Sequence, residues 1–210
     1  MGQKINPIAY RLGVNIDWPS RWATSKKKQY QEFLLEDAKI RRFLEERLSL
    51  AGLIAVNIER SFNKMKLTLQ TSRPGVVIGR GGKNLEVLKK ELCQIVSIEE
   101  PGKNLEIRIE EVEKPELSAL FVAQKIADQL KRRLPYRQVV QKEMERVREA
   151  GAQGIKVRLA GRIGGANIAR QEKFSQGKVP TSTIRANIDY AQFPALTGKG
   201  YVGVKVWINR

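Results

Sequence analysis

The residues of this chain best placed to do chemistry are glycines and cations. Gly79-Arg80-Gly81-Gly82 joins a short apolar stretch to a longer one, and Lys83 follows. Glycine lets a backbone approach a sugar-phosphate strand without a Cβ clash. A helix that starts just after such a loop presents free N–H groups and partial positive charge to an anion. Arg80 and Lys83 add full charges, which makes a GxxG clamp suited to single-stranded nucleic acid. On four residues alone, a tight interhelical turn that merely needs glycine explains them equally well; the order of the flanking elements favours RNA. Ile78, just before the loop, is expected in the core.

A second glycine run, Arg162-Ile163-Gly164-Gly165, follows a strand whose outward positions are Lys156 and Arg158. Further bases recur at Arg170, Lys173, Lys178 and Arg185. A basic strand face beside a glycine turn suits phosphate contact, and a plain hairpin with a solvated face would carry the same residues. Lys131-Arg132-Arg133 stands at a predicted helix end, with Arg137 and Lys142 nearby. Cations favour helix C-termini, which accounts for one or two of them and leaves the rest for RNA.

Other chemistries lack their residues. The chain has no His and one Cys, Cys93. That excludes Ser-His-Asp and Cys-His nucleophiles, an internal disulfide and a structural zinc site within the chain. A P-loop fails because position 77 is Val and position 84 is Asn, and no GxGxxG sits between strand and helix. The carboxylates Glu99, Glu100, Glu106, Glu110, Glu111, Glu113 and Glu116 are read as repelling RNA or as meeting a basic neighbouring protein, in preference to an acid pair or Mg²⁺ site. No metal, cofactor or catalytic residue is expected.

Charge points to the partner. Across 210 residues, 39 Lys and Arg face 22 acids, a net charge of +17. Such an excess repels itself in the free protein and favours a polyanion. It is also segregated. Residues 91–118 hold eight acids and three bases, and residues 131–185 hold fourteen bases and four acids. No apolar run approaches the roughly 20 residues that cross a bilayer, so no membrane partner is expected. The opening MGQKINPIAYRLG lacks the apolar stretch of a secretory signal, and Asn6 stands where a myristoylation signal needs Ser or Thr.

The positioning elements follow from periodicity. Residues 1–36 show no sustained period and read as an extended basic arm with Pro7, Pro19 and Lys26-Lys27-Lys28. A helix is expected from about Asp37 to Gly52, with Ile40, Phe43, Leu44 and Leu48 on one face. Two strands follow, with Ile54, Val56, Ile58 and then Met65, Leu67, Leu69 alternating around a turn at Asn63. After the glycine loop comes a helix with Leu85, Leu88, Leu92 and Ile95 on one face, then a strand at Leu105, Ile107 and Ile109. A boundary is placed at Lys114-Pro115. Beyond it, helices are expected over 117–133 and about 137–150, then strands at 155–159, 184–190 and 202–208, with a weaker one at 168–174. The fold class is α+β: an arm over 1–36, a helix-strand-strand-helix-helix-strand domain over 37–113, and a domain of two helices on a three- or four-stranded sheet over 114–210. Trp18, Trp22 and Tyr30 suit stacking on bases or on protein; Trp207 suits packing. Cys93 is expected to be a half-buried, inert thiol.

Several stretches together resemble one family. MGQKINP…RLG, RPGVVIGRGGKN, KPEL, GAQGIKVRLAGRIGGANIAR and GVKVWI, in this order over nearly the whole chain, are similar to the family of the third protein of the small ribosomal subunit, in its bacterial or organellar form. The first domain then resembles a type II KH domain. The resemblance implies a structural, non-enzymatic constituent of the small subunit, cytoplasmic or in an organellar matrix or stroma. It implies binding to rRNA in the subunit head, proximity to small-subunit proteins ten and fourteen and more loosely two, four and five, and no homo-oligomer in the ribosome. It makes Gly79 to Gly82 the KH loop, places Gly164, Gly165 and Arg170 in an rRNA-facing block, and assigns Gly2, Gln3, Lys4 and Arg11 to the RNA-bound arm. It also implies a part in the channel through which mRNA enters, with Arg132, Arg133, Arg137, Gln138, Gln141 and Lys142. Family members open the second helix after the boundary with two adjacent bases and a third one turn later. Here those positions are Arg137, Gln138 and Gln141, so mRNA is expected to pass without strong help in unwinding. The sequence ends at Arg210, just past the final strand, and no further basic tail is expected.

Two other readings remain open from residues alone. A free KH-type regulator would more often repeat its KH unit or add an effector domain. A lyase acting through an amine on damaged DNA needs a desolvated Lys, and none is identifiable in the sequence.

Overall fold

A computed structural model of the chain describes residues 3–61, 64–96 and 104–210. They divide into two compact units. One is Trp18–Glu113; the other is Lys114–Arg210 together with the residues up to Asp17. In chain order, α1 spans Pro7–Arg11, β1 Ser20–Arg21, α2 Lys27–Arg47, β2 Leu53–Arg60, β3 Met65–Thr71, α3 Pro74–Ile78, α4 Lys83–Ile95 and β4 Leu105–Glu111. Then come α5 (Ala119–Lys131), α6 (Tyr136–Glu149), β5 (Gly154–Gly161), β6 (Arg170–Gly177), β7 (Ile188–Thr197) and β8 (Gly200–Asn209).

The unit Trp18–Glu113 carries the expected helix-strand-strand-helix-helix-strand order as α2, β2, β3, α3, α4 and β4. Its sheet runs β1-β2-β3-β4, with β2 and β3 antiparallel and β3 and β4 parallel. Ile40 and Leu44 of α2 and Leu88 and Leu92 of α4 bury against Met65, Leu67 and Leu69. Three details differ from the sequence reading. A bulge between Leu53 and Ala55 shifts the register, so Leu53 and not Ile54 joins the buried row. Ile78 is 41% exposed and Val77 takes the core position beside the loop. The expected turn at Asn63 lies outside the described residues.

The third difference is the arm. Helix α2 begins at Lys27, not near Asp37. Its first turns are exposed and charged, so no apolar period announced them. Asp37, a good capping residue, sits mid-helix because its carboxylate has stronger partners. Arg60 reaches it at 2.6 Å, and the Trp22 indole N–H and the Ser20 hydroxyl donate to it at 2.8 and 3.0 Å. Arg60 also pairs with Glu36 at 2.9 Å and lies over the Phe33 ring. A buried guanidinium with two carboxylates and several hydrogen bonds is tolerated because its charge is compensated. Trp22 packs against Tyr30 and Phe33, so these rings meet one another, with Trp22 and Phe33 half-buried and Tyr30 exposed.

In the other unit, α5 and α6 cover one face of an antiparallel sheet ordered β6-β5-β8-β7. Ile155, Val157 and Leu159 on β5 and Val202, Val204, Val206 and Ile208 on β8 point at the helices and are buried. The α5 start is satisfied twice: the Asp189 carboxylate accepts from the Ala119 N–H at 3.0 Å, and the Ser118 hydroxyl from the Phe121 N–H. The weak strand candidate is a full edge strand, β6. The stretch 184–187 is not strand. Strand β7 starts at Ile188 and runs to Thr197, and its Pro194 is accommodated because β7 is the other edge.

Residues 181–186 turn instead, held by Arg11. This side chain is fully buried, and its guanidinium donates to the carbonyls of Pro7, Thr181, Thr183 and Ala186 at 2.7–3.1 Å. Helix α1 that carries it is capped by Asn6, whose side-chain oxygen accepts from the Ile8 N–H at 2.9 Å. The expected RNA role of Arg11 is therefore corrected: its donors are spent on the fold.

Candidate nucleic-acid interface

The glycine loop has the conformation a backbone clamp needs. Gly79, Gly81 and Gly82 all have positive φ, at 71°, 64° and 77°. At Gly79 the demand is also steric, because an added Cβ would stand 2.6 Å from the Asn84 side chain. Asn84 in turn donates to the Val76 carbonyl at 3.2 Å and so ties the loop to α3. Gly81 and Gly82 face open space. Arg80 and Lys83 are exposed beside them, and α4 begins at Lys83 with its first N–H groups near the loop.

The second surface is the sheet face turned away from α5 and α6. Strand register sets its composition. Lys173, Arg158, Lys205 and Gln192 form one row across the four strands; Ser175, Lys156, Trp207 and Tyr190 form the next. The neighbouring row is Gln171, Ala160, Gly203 and Pro194. Four cations thus share a face on which these rows place no carboxylate. Trp207 and Tyr190 pack with ring centroids 5.2 Å apart and planes tilted by 38°, and the Lys156 ammonium lies 5.4 Å from the Trp207 ring. Arg158 donates to Gln171. Burial, and then the charges of Lys4, Lys173 and Arg158, push the Lys156 pKa below the ordinary lysine range. Burial raises the Tyr190 hydroxyl, with Arg158 opposing. A positive face this crowded is costly without an anion to neutralise it.

Of the residues expected from sequence, Lys156, Arg158 and Lys173 are brought together here, and Lys4 is close enough to be felt by Lys156. Gln3 is exposed, and Gly2 lies outside the described residues. Lys178 and Arg185 are exposed in the segment between β6 and β7. Arg162, Gly164, Gly165 and Arg170 are not on this face. They gather at the sheet end, where Arg170 pairs with Glu172 at 3.1 Å and donates to the Tyr136 hydroxyl at 3.1 Å. Arg132 and Arg133 close the α5–α6 connection, and Arg137, Gln138, Gln141 and Lys142 stand exposed along the first turns of α6. Lys205 was missed as a site residue, although its alternation with Val204 and Val206 put it outward. Trp207 and Tyr190 were missed because only strand pairing shows that they meet. No group of acids, Cys or His suited to a metal ion occurs among the described residues, and none of their helices is long and apolar enough to cross a membrane.

Comparison with known proteins adds two family matches. Residues 39–117 match the KH domain, and residues 126–208 match the ribosomal protein S3 C-terminal domain. The chain is 46% identical to the small ribosomal subunit protein uS3 of Carboxydothermus hydrogenoformans over 210 residues, all of this chain and 92% of that protein. It is 47% identical to the uS3 protein of Lactobacillus delbrueckii subsp. bulgaricus, of which it spans 91%. It is 46% identical to that of Methylacidiphilum infernorum, of which it spans 96%.

Proposed function

The chain belongs to the uS3 family of small ribosomal subunit proteins, and from that premise we propose that it is held on rRNA in the head of the subunit by its cationic sheet face and its KH loop. Its role is that of a structural constituent of the small subunit, in a family that is not enzymatic. The observation that carries the RNA contact is the open face of the β6-β5-β8-β7 sheet, where Lys156, Arg158, Lys173 and Lys205 meet with no carboxylate among them. Phosphate contacts supply most of such affinity, and the half-buried aromatic pair Tyr190 and Trp207 suits an unstacked base.

The same reading extends to mRNA. Arg132, Arg133, Arg137 and Lys142, with Gln138 and Gln141, lie on the channel by which mRNA enters. With neutral Gln at two of those positions, the help given to unwinding is weak. Small-subunit proteins ten and fourteen are neighbours, and two, four and five are looser ones. The chain acts as a single copy per ribosome, in the cytoplasm or in an organellar matrix or stroma.

The test is binding of the purified chain to an rRNA fragment across a salt series. Log affinity is expected to fall linearly with log salt, each neutralised phosphate adding about 0.9 to the slope. Affinity independent of salt would overturn the reading.

A further inference from the structure

Three segments of the second unit meet at the end of its sheet around a cavity of about 490 Å³. The α5–α6 connection, the glycine turn after β5 and the β7–β8 hairpin each give it one cation: Arg133, Arg162 and Lys199. Among the described residues lining it there is no carboxylate. Leu130, Ile163 and Val202 form its floor and are buried. Leu134, 47% exposed, forms a wall with Pro135 and Tyr136. An apolar well under a cationic rim fits a ligand with one flat, weakly polar part and one anionic part. The volume falls within the roughly 300–1,000 Å³ of small-ligand sites and exceeds what a lone phosphate fills.

The lining is also fixed in advance. Tyr136 is oriented by its hydroxyl, which donates to Glu172 at 2.9 Å and accepts from Arg137 at 3.2 Å and Arg170 at 3.1 Å. Lys199 lies across the glycine turn, its ammonium 3.4 Å from the Gly165 carbonyl; a Cβ on Gly165 would stand 2.9 Å from the lysine chain. Arg162 is tied back to the Ala166 carbonyl at 2.9 Å. Arg133 has φ of 61°, the one positive value at a non-glycine residue among the described residues. That conformation closes the end of α5, where the Arg133 N–H donates to the Leu130 carbonyl at 3.0 Å and the Leu134 N–H to the Gln129 carbonyl at 3.3 Å, so the helix end fixes Arg133 at the rim.

We infer that this cavity receives a single unstacked nucleotide of RNA, its base against Leu134, Pro135 and Tyr136 and its phosphate between Arg133, Arg162 and Lys199. The inference rests on the reading of this unit as an RNA-binding one, and it adds a site on the helix side of the sheet, away from the Lys156 face.

The test uses the full chain with labelled Ile, Leu and Val methyl groups, titrated with adenosine monophosphate, adenosine and inorganic phosphate in turn. Adenosine monophosphate is expected to shift the methyl signals of Leu134, Ile163 and Val202. Lys199→Glu is expected to weaken that binding about tenfold or more, and Leu134→Ser by a smaller factor, since a charge-assisted contact outweighs one apolar wall. Both residues are exposed, so neither change threatens the fold. Equal response to phosphate alone, or shifts unaltered in Lys199→Glu, would overturn the nucleotide site. A chain that ignores adenosine monophosphate yet binds single-stranded RNA in a Lys156-dependent way refutes the cavity alone. A chain that binds neither removes the RNA reading and the cavity with it.

Discussion

The two sheets of this protein have the same number of strands and opposite outer faces. On the face of the KH sheet away from its helices, Arg21, Lys66 and Arg108 meet Glu59, Glu106 and Glu110. These charges cancel and satisfy one another: Lys66 lies 3.4 Å from Glu59, Arg108 3.9 Å from Glu106, and Gln70 donates to Glu110 at 3.3 Å. On the second sheet the matching rows hold four cations, no acid and an aromatic pair. Fold alone does not make a sheet face an RNA surface. A face whose charges are paired internally has little to offer a phosphate, whereas one whose cations repel gains by meeting it. In the KH unit the positive groups stand instead at the loop, beside Gly79 to Gly82.

The largest effect should come from breaking that asymmetry. Lys156→Glu with Arg158→Glu is expected to lower RNA affinity about a hundredfold or more, since each charge-assisted contact contributes about 1.5–3 kcal/mol. The matching pair on the other sheet, Lys66→Glu with Arg108→Glu, should change affinity by less than about threefold, because exposed ion pairs contribute only about 0–1 kcal/mol. Titration of the two variants by fluorescence anisotropy checks both, and equal losses would break the comparison.

Next in size is Arg11→Met. It should destabilise the chain by several kcal/mol, since hydrogen bonds to a charged donor contribute about 1.5–3 kcal/mol each and four carbonyl acceptors are stranded. The unfolding midpoint in urea reads this directly. RNA affinity per folded molecule should change much less, which separates a strut from a contact. Arg80→Asp with Gly81→Asp should then weaken RNA binding roughly tenfold, since one or two charge-assisted contacts are lost, while an Asp held at φ 64° costs about 1 kcal/mol or more of stability that the urea midpoint reads separately. Lys205→Ala, the smallest step, should flatten the log–log salt dependence by about one unit.

A pH series sharpens the comparison. Because its pKa is depressed, Lys156 sheds its proton below the ordinary lysine range as pH rises, and RNA affinity should begin to fall there. In the free protein the sign is opposite. The unfolded state binds more protons between the folded and unfolded values, so stability should rise as pH passes through the folded Lys156 value. Lys156→Met should remove both trends.

Much of this was readable in the residues. The alternation of Val202, Val204, Val206 and Ile208 fixed a strand and its inward face, and the glycines at 79, 81 and 82 marked the loop. What depended on distant pairing was not readable. Arg11 finds acceptors about 170 residues away, so a cation in a basic opening looked like an RNA contact. The first turns of α2 carry no buried apolar stripe, and Arg60 meets the helix only further along, at Glu36 and Asp37, so those turns passed for an arm. Lys199 and Tyr136 gave no local signal, since their importance comes from three segments meeting at one end of a sheet. Ile78 looked like core by type, yet helix α3 turns Val77 inward in its place.

The central claim is that RNA covers the second sheet's open face and leaves the KH sheet's open face bare. Acetylation footprinting of the chain, free and bound to rRNA, tests it lysine by lysine. Lys156, Lys173 and Lys205 should lose reactivity on binding while Lys66 keeps it. Protection of Lys66 with the other three still reactive would contradict the account.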